Sequence, residues 1–349
     1  MKDLVVLPNI TIKQALKKLS KGGEKCLVVV DKNNTLLGTL SDGDLRKTIL
    51  KGSRISDAIT SVYQSKPTVL VKGDYRLGQA KDLFIKKKYD LIPIIDNKGM
   101  LIDILVWEKV FKNGEKKQYR NLNVPVVIMA GGRGTRMEPF TKVLPKPLIP
   151  IHEKPVIEHI IEQFTAVGAN KFILTVNYKA QIMKAFFEEL NPDYSVDFLE
   201  EKEPLGTGGS LKFLEGKYNE SILVTNCDII IKTNYIDLFE FHQKNNYDIT
   251  LVASMKNYTI PYGTCELNGE GHLKQINEKP EFDFLVNTGL YVLNPDVLRL
   301  IPEGKMYHIT QLIDDAKKDG MQVGVYPIDD DSWIDVGQWA EYQKAVEQL

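Results

Sequence analysis

The sequence VPVVIMAGGRGTRMEPFTKVLPKP, residues 124–147, decides the fold of the longer part of the chain. Its first seven residues are apolar and predict a buried strand. The glycines that follow allow close backbone approach, and a loop after such a strand is where α/β sheets bind ligands. The loop is not a P-loop, because no G-x-x-x-x-G-K-[ST] occurs, and it is not a dinucleotide fingerprint, because Met137 occupies the third glycine position. We predict a phosphate-binding loop, although a lone G-G-x-G suits a tight turn equally well.

Strands and helices alternate after this loop. Apolar residues recur at helical spacing in 156–167 and 181–190, whereas 172–176 and 221–225 are short apolar runs. Alternation of this kind predicts an α/β fold with a mostly parallel sheet that is covered on both faces.

The first part of the chain contains an internal repeat with an offset of 65 residues. Each copy has an amphipathic helix (11–21 and 76–88), an apolar strand (26–30 and 91–95), a polar turn and a second short strand. A polar, charged stretch follows the second copy. We therefore predict domains at 1–113 and 124–349, joined by a linker at 114–123.

Composition excludes several classes of protein. The chain has 349 residues, of which 43% are hydrophobic and 26% charged, as in ordinary globular proteins. Its apolar stretches are too short to cross a membrane, and its start does not read as a signal peptide, so we expect a cytoplasmic protein without a membrane or nucleic-acid partner. The three cysteines form no close-spaced pair, which argues against a disulfide framework or a zinc site.

Residues 131–155 resemble, almost residue for residue, the signature of the sugar-1-phosphate nucleotidyltransferases, in which a lysine follows the motif arginine by ten residues. The resemblance continues through PLGTGG at 204–209, NCD at 226–228 and WIDVG at 333–337. It implies a Rossmann-like nucleotidyltransferase domain with a mostly parallel mixed sheet. The implied reaction joins a sugar 1-phosphate to a nucleoside triphosphate and releases pyrophosphate.

The resemblance also implies roles for individual residues. Arg136 and Lys146 are the catalytic candidates, since a planar fork suits the leaving pyrophosphate and a compact charge suits the α-phosphate. Asp228 and Asp335 offer hard oxygen ligands for Mg²⁺. The nucleotide-binding candidates are Ala130, Gly131, Gly132, Gly134, Thr135, Gly206, Thr207 and Gly208. The sugar-phosphate candidates are Tyr262, Gly263, Glu278, Lys279, Asn287 and Thr288.

The repeat in 1–113 resembles a pair of CBS motifs, known as a Bateman domain, which binds adenine nucleotides between its copies. Ser41 and Asp44 match the family's phosphate and ribose positions, whereas the second copy has Val106 and Lys109 in register. The resemblance implies at most one adenine nucleotide site and a homo-oligomer. A pair that serves only for dimerisation is an equal alternative.

The combination of the two domains resembles the CBS-fused guanylyltransferases of legionaminic acid synthesis. That resemblance implies GTP and glucosamine 1-phosphate as substrates and GDP-glucosamine as product. A mannose-1-phosphate guanylyltransferase, or a transferase for another nucleoside triphosphate and hexose 1-phosphate, stays open. A catalytically silent sensing subunit is the alternative of another class, but such subunits tend to lose the ionic residues that this chain retains.

Overall fold

The computed structural model describes residues 4–22, 25–87, 89–111 and 121–348. They form two compact units, one within Met1–Gln118 and Met255–Phe284, the other within Tyr119–Ser254 and Leu285–Leu349. Both units are α/β, which confirms the predicted fold class. The proposed linker lies largely outside the described residues, so its bounds stay a prediction. Residues 255–284 lie in the predicted second domain, yet the structure groups them with the first unit.

The first unit contains two three-stranded sheets of the same topology, β1-β2-β3 and β4-β5-β6. In each, the first pair of strands is parallel and the second antiparallel. The elements are β1 (Val5–Val6), α1 (Ile12–Gly22), β2 (Cys26–Val30), β3 (Leu36–Ser41), α2 (Asp42–Leu50), β4 (Leu70–Val71), α3 (Leu77–Lys87), β5 (Leu91–Ile95), β6 (Leu101–Val106) and α4 (Trp107–Val110).

Equivalent positions of the two copies pair with each other. Thr35 forms an isolated β-bridge with Met100, its counterpart 65 residues later. The flanking backbone bonds are reciprocal, from Leu36 N to Gly99 O at 3.0 Å and from Leu101 N to Asn34 O at 2.9 Å. Such pairing of like with like relates the copies by a local two-fold axis.

The second unit is built around a seven-stranded sheet of order β11-β10-β7-β12-β17-β14-β18. The remaining elements in chain order are β7 (Val126–Met129), α5 (Phe140–Val143), β8 (Pro150–Ile151), β9 (Lys154–Pro155), α6 (Val156–Thr165), β10 (Lys171–Val176), α7 (Ala180–Leu190), β11 (Ser195–Glu200), β12 (Ile222–Asn226), β13 (Ile229–Ile231), α8 (Tyr235–Lys244), β14 (Ile249–Thr259), β15 (Thr264–Leu267), β16 (Leu273–Asn277), β17 (Glu281–Leu293), α9 (Ile309–Lys318), β18 (Val323–Ile328), β19 (Trp333–Asp335) and α10 (Trp339–Gln348). Of these, β15 and β16 lie in the segment grouped with the first unit.

The seven-stranded sheet separates two apolar layers of the second unit, as the interior strand β7 shows. Val126 and Ile128 pack in one apolar cluster, and Val127 and Met129 pack in another, because alternate side chains point to opposite faces of a strand. β10, β11 and β12 run parallel to β7 or to its parallel neighbour, so their carboxyl ends share one edge of the sheet. That edge carries the glycine-rich loop. Among the described residues, no helix has the length and apolarity needed to cross a membrane.

Candidate active site

The side chains of Lys146, Asp228 and Asp335 converge on one glycine. Asp228 directly precedes β13, whose Ile229 is paired with Asp335 of β19, so a two-stranded ribbon joins carboxylates that are far apart in the chain. A Cβ atom on Gly337 would lie 2.8 Å from Asp228 Oδ2, 2.8 Å from Asp335 Oδ1 and 3.2 Å from Lys146 Nζ. The absent side chain of Gly337 therefore leaves a small space that three charged groups line.

The three charged side chains beside Gly337 carry more negative than positive charge. The Lys146 ammonium is largely buried and forms an ion pair with Asp228 Oδ2. Burial raises the pKa of Asp335 above its usual value, and the Asp228 charge raises it further, while Gly337 N, Lys146 and Arg136 act in the opposite direction. Gly337 N donates to Asp335 Oδ1 at 2.6 Å. The carboxylates of Asp228 and Asp335 and the ammonium of Lys146 thus lie together, largely shielded from water.

The space beside Gly337 suits a divalent cation. Two oxygen ligands aimed at one point are what Mg²⁺ commonly takes from a protein, since its other ligands are water and substrate phosphate. No cluster of three or more His, Cys, Asp or Glu side chains suited to a metal ion occurs within 4–22, 25–87, 89–111 and 121–348. The carboxylates of Asp228 and Asp335 supply two oxygens at this point, and their role as metal ligands stays a prediction.

The glycine-rich loop turns sharply and presents Arg136 to solvent. Gly134 has a φ of +65°, and a Cβ there would lie 2.9 Å from Thr141 Cγ2 and 3.1 Å from Lys146 Cβ. The following short 3₁₀ helix, Thr135–Met137, buries Met137 while Arg136 stays exposed. Gly132 has open space around it, which leaves room for a ligand. Ala130, by contrast, is buried.

The loop PLGTGG at 204–209, the second segment predicted to bind nucleotide, is hydrogen-bonded to residues 307–309. Gly208 N and its neighbour Gly209 N both donate to Tyr307 O at 3.0 Å. Thr207 Oγ1 accepts from Ile309 N at 3.2 Å, at the start of α9. Any nucleotide contact by Gly208 would therefore use its carbonyl or its Cα surface rather than its amide.

Glu201, a buried acid at the edge of the glycine-rich loop, was not among the residues predicted from sequence. It follows β11, is 6% exposed, and its Oε2 accepts from Leu205 N at 3.1 Å. A Cβ on Gly131 would lie 3.0 Å from Glu201 Oε1, so this glycine leaves room for the carboxylate. The sequence signal was an acid three residues before the PLGTGG loop, inside the charged run EEKE at 200–203.

Two family models match the chain. The family model described as "Nucleotidyl transferase" matches residues 125–349, which is more than half of the chain. The chain belongs to the nucleotidyl transferase family. A second family model, for the CBS domain, matches residues 1–51. A nucleotidyl transferase domain thus follows at least one CBS motif.

Relatives of the nucleotidyl transferase domain include two fungal proteins. The mannose-1-phosphate guanyltransferase of Yarrowia lipolytica is 38% identical over 184 residues, which are 50% of this chain and 50% of the relative. The protein of the same name from Pichia angusta is 35% identical over 226 residues, 61% of this chain and 60% of the relative. The chain therefore spans about half to three fifths of the length of these curated relatives.

A solved structure is also similar to part of this chain. The crystal structure of HddC from Yersinia pseudotuberculosis complexed with GMP-PN is 26% identical to this transferase, with a TM-score of 0.52. The similarity covers 64% of this chain and 99% of that chain.

The predicted sugar-phosphate residues of the transferase unit are already engaged in the fold. Thr288 is buried, and its hydroxyl donates to Val252 O at 2.8 Å. Asn287 Nδ2 donates to Tyr291 Oη at 2.8 Å, and its Oδ1 accepts from Gly289 N at 3.1 Å. Asn287 is exposed and remains accessible to a ligand.

The other four predicted sugar-phosphate residues lie in 255–284, within the first unit. Tyr262 is exposed, and a Cβ on Gly263 would lie 2.9 Å from Glu278 Oε2. Lys279 has a φ of +46°, in the left-handed region that non-glycine residues rarely adopt. These residues form an exposed group of their own, and their contact with a sugar phosphate stays a prediction.

Proposed function

We propose that the protein transfers a guanylyl group from GTP to a hexose 1-phosphate and releases pyrophosphate. The observation that supports this most directly is the convergence of Lys146, Asp228 and Asp335 on Gly337, next to the glycine-rich loop of a nucleotidyl transferase. The names of the fungal relatives support guanylyl transfer, and the complex of HddC supports a guanine nucleotide.

In the proposed reaction, an oxygen of the sugar phosphate attacks the α-phosphorus of GTP. A new P–O bond forms while the bond to the bridging oxygen of the β-phosphate breaks, and pyrophosphate leaves. Both reactants are anions, so catalysis depends on positioning and on neutralisation of charge. Lys146 would place its charge at the α-phosphate, and the exposed Arg136 would hold the departing phosphates.

Members of this family generally use a divalent metal ion, and we propose Mg²⁺ held by Asp228 and Asp335. When bound, Mg²⁺ neutralises the charge of the phosphate oxygens and acts as a Lewis acid. The two aspartates would orient it, because β13 and β19 hold their backbones together and Gly337 N fixes the Asp335 carboxylate.

We further propose that Glu201 selects guanine. The Watson–Crick edge of guanine carries two adjacent donors, N1–H and the N2 amino group, and an ionised carboxylate only accepts. Adenine lacks this pair of donors. A buried glutamate beside the glycine-rich loop would therefore favour GTP over ATP.

Glu201→Gln is expected to lower kcat/KM for GTP by about 10- to 100-fold, because one hydrogen bond from guanine to a charged acceptor is lost. The matched control is the exposed Glu203→Gln, which should match the wild type. Pyrophosphate release with GTP and with ATP measures the effect. An unchanged ratio of the two rates in Glu201→Gln would remove the proposed role.

The sugar is the least constrained part of the proposal. The pairing with a CBS motif favours glucosamine 1-phosphate and a place in legionaminic acid synthesis, whereas the names of the relatives favour mannose 1-phosphate. The decisive experiment measures pyrophosphate release with four nucleoside triphosphates and a panel of sugar 1-phosphates that includes both. We expect the fastest release with GTP. Silence across the whole panel would favour a regulatory subunit instead.

We propose that the first unit binds an adenine nucleotide at the first copy of its repeat. A cavity of about 550 Å³ is lined by residues that include Ser41 and Asp44. Ser41 Oγ donates to Asp44 Oδ2 at 2.6 Å and accepts from Asp44 N at the start of α2. In the second copy, the equivalent Val106 makes no side-chain hydrogen bond that caps α4. Lys109 Nζ donates to Asp103 Oδ1 at 2.9 Å.

Thermal denaturation with AMP, ADP and ATP tests this site. A ligand at 100 times its Kd stabilises the folded state by about 2.7 kcal/mol, which raises Tm measurably. The shift should disappear in Asp44→Ala and persist in Lys109→Ala, each compared with its own ligand-free Tm. If none of the three nucleotides shifts the wild-type Tm, the pair serves assembly alone.

We also propose a cytoplasmic homo-oligomer, as CBS pairs commonly stack on one another. Light scattering of the full chain tests the assembly. A mass equal to one chain would contradict it.

A further inference from the structure

The helix α5 connects the two proposed catalytic cations. Arg136 lies four residues before its first residue, Phe140, and Lys146 lies three residues after its last, Val143. A four-residue helix leaves its carboxyl-terminal carbonyls without helical partners. Any shift of α5 would move both cations, so whatever holds these carbonyls also sets the geometry of the proposed site.

The turn between β10 and α7 satisfies the carbonyl groups of α5. Lys179 Nζ donates to Lys142 O at 2.6 Å and to Val143 O at 2.7 Å. Tyr178 Oη donates to Thr141 O at 3.1 Å. Three successive carbonyls are thereby bound by two adjacent side chains, and a lysine at a helix carboxyl terminus also opposes its dipole.

The other contacts of α5 make this turn its main polar anchor. Thr141 Oγ1 donates to Gly134 O at 3.0 Å, which ties the helix to the glycine-rich loop. At the opposite end, Phe140 stacks on Trp339 with a centroid distance of 5.3 Å. At the carboxyl-terminal end, which leads to Lys146, the contacts of Tyr178 and Lys179 add to the backbone bond from Leu144 N to Phe140 O at 2.9 Å.

The backbone of Lys179 is itself unusual. Its φ of +55° is in the left-handed region, which costs a non-glycine residue energy, and it precedes α7 without a side-chain cap. This conformation directs the ammonium to α5, where it also lies 5.3 Å from the Tyr178 ring centroid. Backbone strain that serves a contact beside a site is a common sign of functional positioning.

We propose that Tyr178 and Lys179 are positioning residues that hold α5, and through it Arg136 and Lys146, in reacting geometry. Neither is assigned a contact with substrate, because their polar atoms are used on backbone carbonyls. The inference rests on the proposed nucleotidyl transfer. It predicts an effect on turnover rather than on nucleotide affinity.

Lys179→Met, which keeps the apolar stem, should lower kcat by about 10- to 100-fold, since displacements near 1 Å have effects of this size. The KM for GTP should change by less than about threefold. Lys179→Arg should restore most of kcat, because it again donates to the two carbonyls. The matched control is Lys184→Met in α7, the helix that Lys179 precedes; Lys184 pairs with Glu200. A lower Tm in Lys179→Met with unchanged kcat per folded molecule would overturn the inference.

Amide hydrogen exchange separates this inference from the proposed function, because it needs no catalysis. The amides of residues 136–146 should exchange faster in Lys179→Met than in the wild type or in Lys184→Met. Unchanged exchange would overturn the proposal that Tyr178 and Lys179 hold α5, even if the enzyme is active. If the wild type releases no pyrophosphate with any substrate, the proposed function fails. Faster exchange in Lys179→Met would still support the role of Tyr178 and Lys179 in holding α5.

Discussion

Replacing Lys146 with methionine is expected to lower turnover by about 100- to 1,000-fold, the usual cost of removing one preorganised charge from a reaction centre. Lys146 Nζ lies at the space beside Gly337, paired with Asp228 and shielded from water. Methionine keeps the packing of the aliphatic stem and removes only the charge. Single-turnover pyrophosphate release at saturating GTP measures the loss.

The same substitution has a second expected result, on stability. Without the ammonium, the carboxylates of Asp228 and Asp335 face each other with no lysine between them, and removing one partner of a buried pair is destabilising. We expect a lower Tm without metal and a larger rise on adding MgCl₂ than in the wild type. Lys154→Met, which breaks an exposed pair with Glu162, is the control and should change neither. Turnover within tenfold of the wild type would remove Lys146 from the reaction.

The fold was predictable where local sequence determines local structure. The strands at 26–30 and 91–95 were predicted with the bounds observed, and the helix expected at 156–167 is Val156–Thr165. The continuous apolar runs of the two strands correspond to burial on both faces, and the helical spacing of apolar residues in 156–165 corresponds to burial of one face. The 65-residue repeat was equally clear. Equivalent positions such as Ala15 and Ala80 are buried in both copies, although Leu77, the counterpart of the buried Ile12, is exposed.

The site was only partly predictable, because its geometry depends on distant contacts. Nothing local indicates that β13 pairs with β19 and so joins Asp228 to Asp335. Glu201 lies in a run of charged residues, and such residues are usually exposed. Only the fold shows that it is buried beside Gly131. Likewise, the amide of Gly208 is used by Tyr307, which sequence spacing alone does not show.

Residues 255–284 show a further limit of sequence reasoning. Their motifs read continuously with the transferase, and the family model spans them, yet their contacts group them with the first unit. Met255, for example, packs in the apolar cluster of the first repeat copy, with Leu16 and Leu27. Sequence order defines motifs, whereas the unit to which a segment belongs depends on which apolar surface covers it.

Replacing Asp335 with asparagine is expected to lower turnover by at least about 100-fold and to raise Tm in the absence of metal. The loss of turnover follows because a bound metal ion contributes several kcal/mol to the transition state and asparagine is a weaker ligand for it. The gain in stability follows because Asp335 is a half-buried carboxylate beside Asp228, so its charge is unfavourable without a cation. Asparagine retains an oxygen to accept from Gly337 N.

The opposite signs of the two substitutions distinguish electrostatic balance from general damage to the fold. Lys146→Met removes an ammonium beside Gly337 and should lower the metal-free Tm, whereas Asp335→Asn removes a carboxylate there and should raise it. Asparagine should also abolish most of the stabilisation by MgCl₂, and the exposed Asp193→Asn should retain it. A lower metal-free Tm in Asp335→Asn, with the MgCl₂ response intact, would mean that this carboxylate is structural. The metal would then have to be held elsewhere. If both signs hold, the excess of negative charge that destabilises the metal-free protein is also what favours binding of Mg²⁺, which in turn would neutralise the phosphate oxygens of GTP.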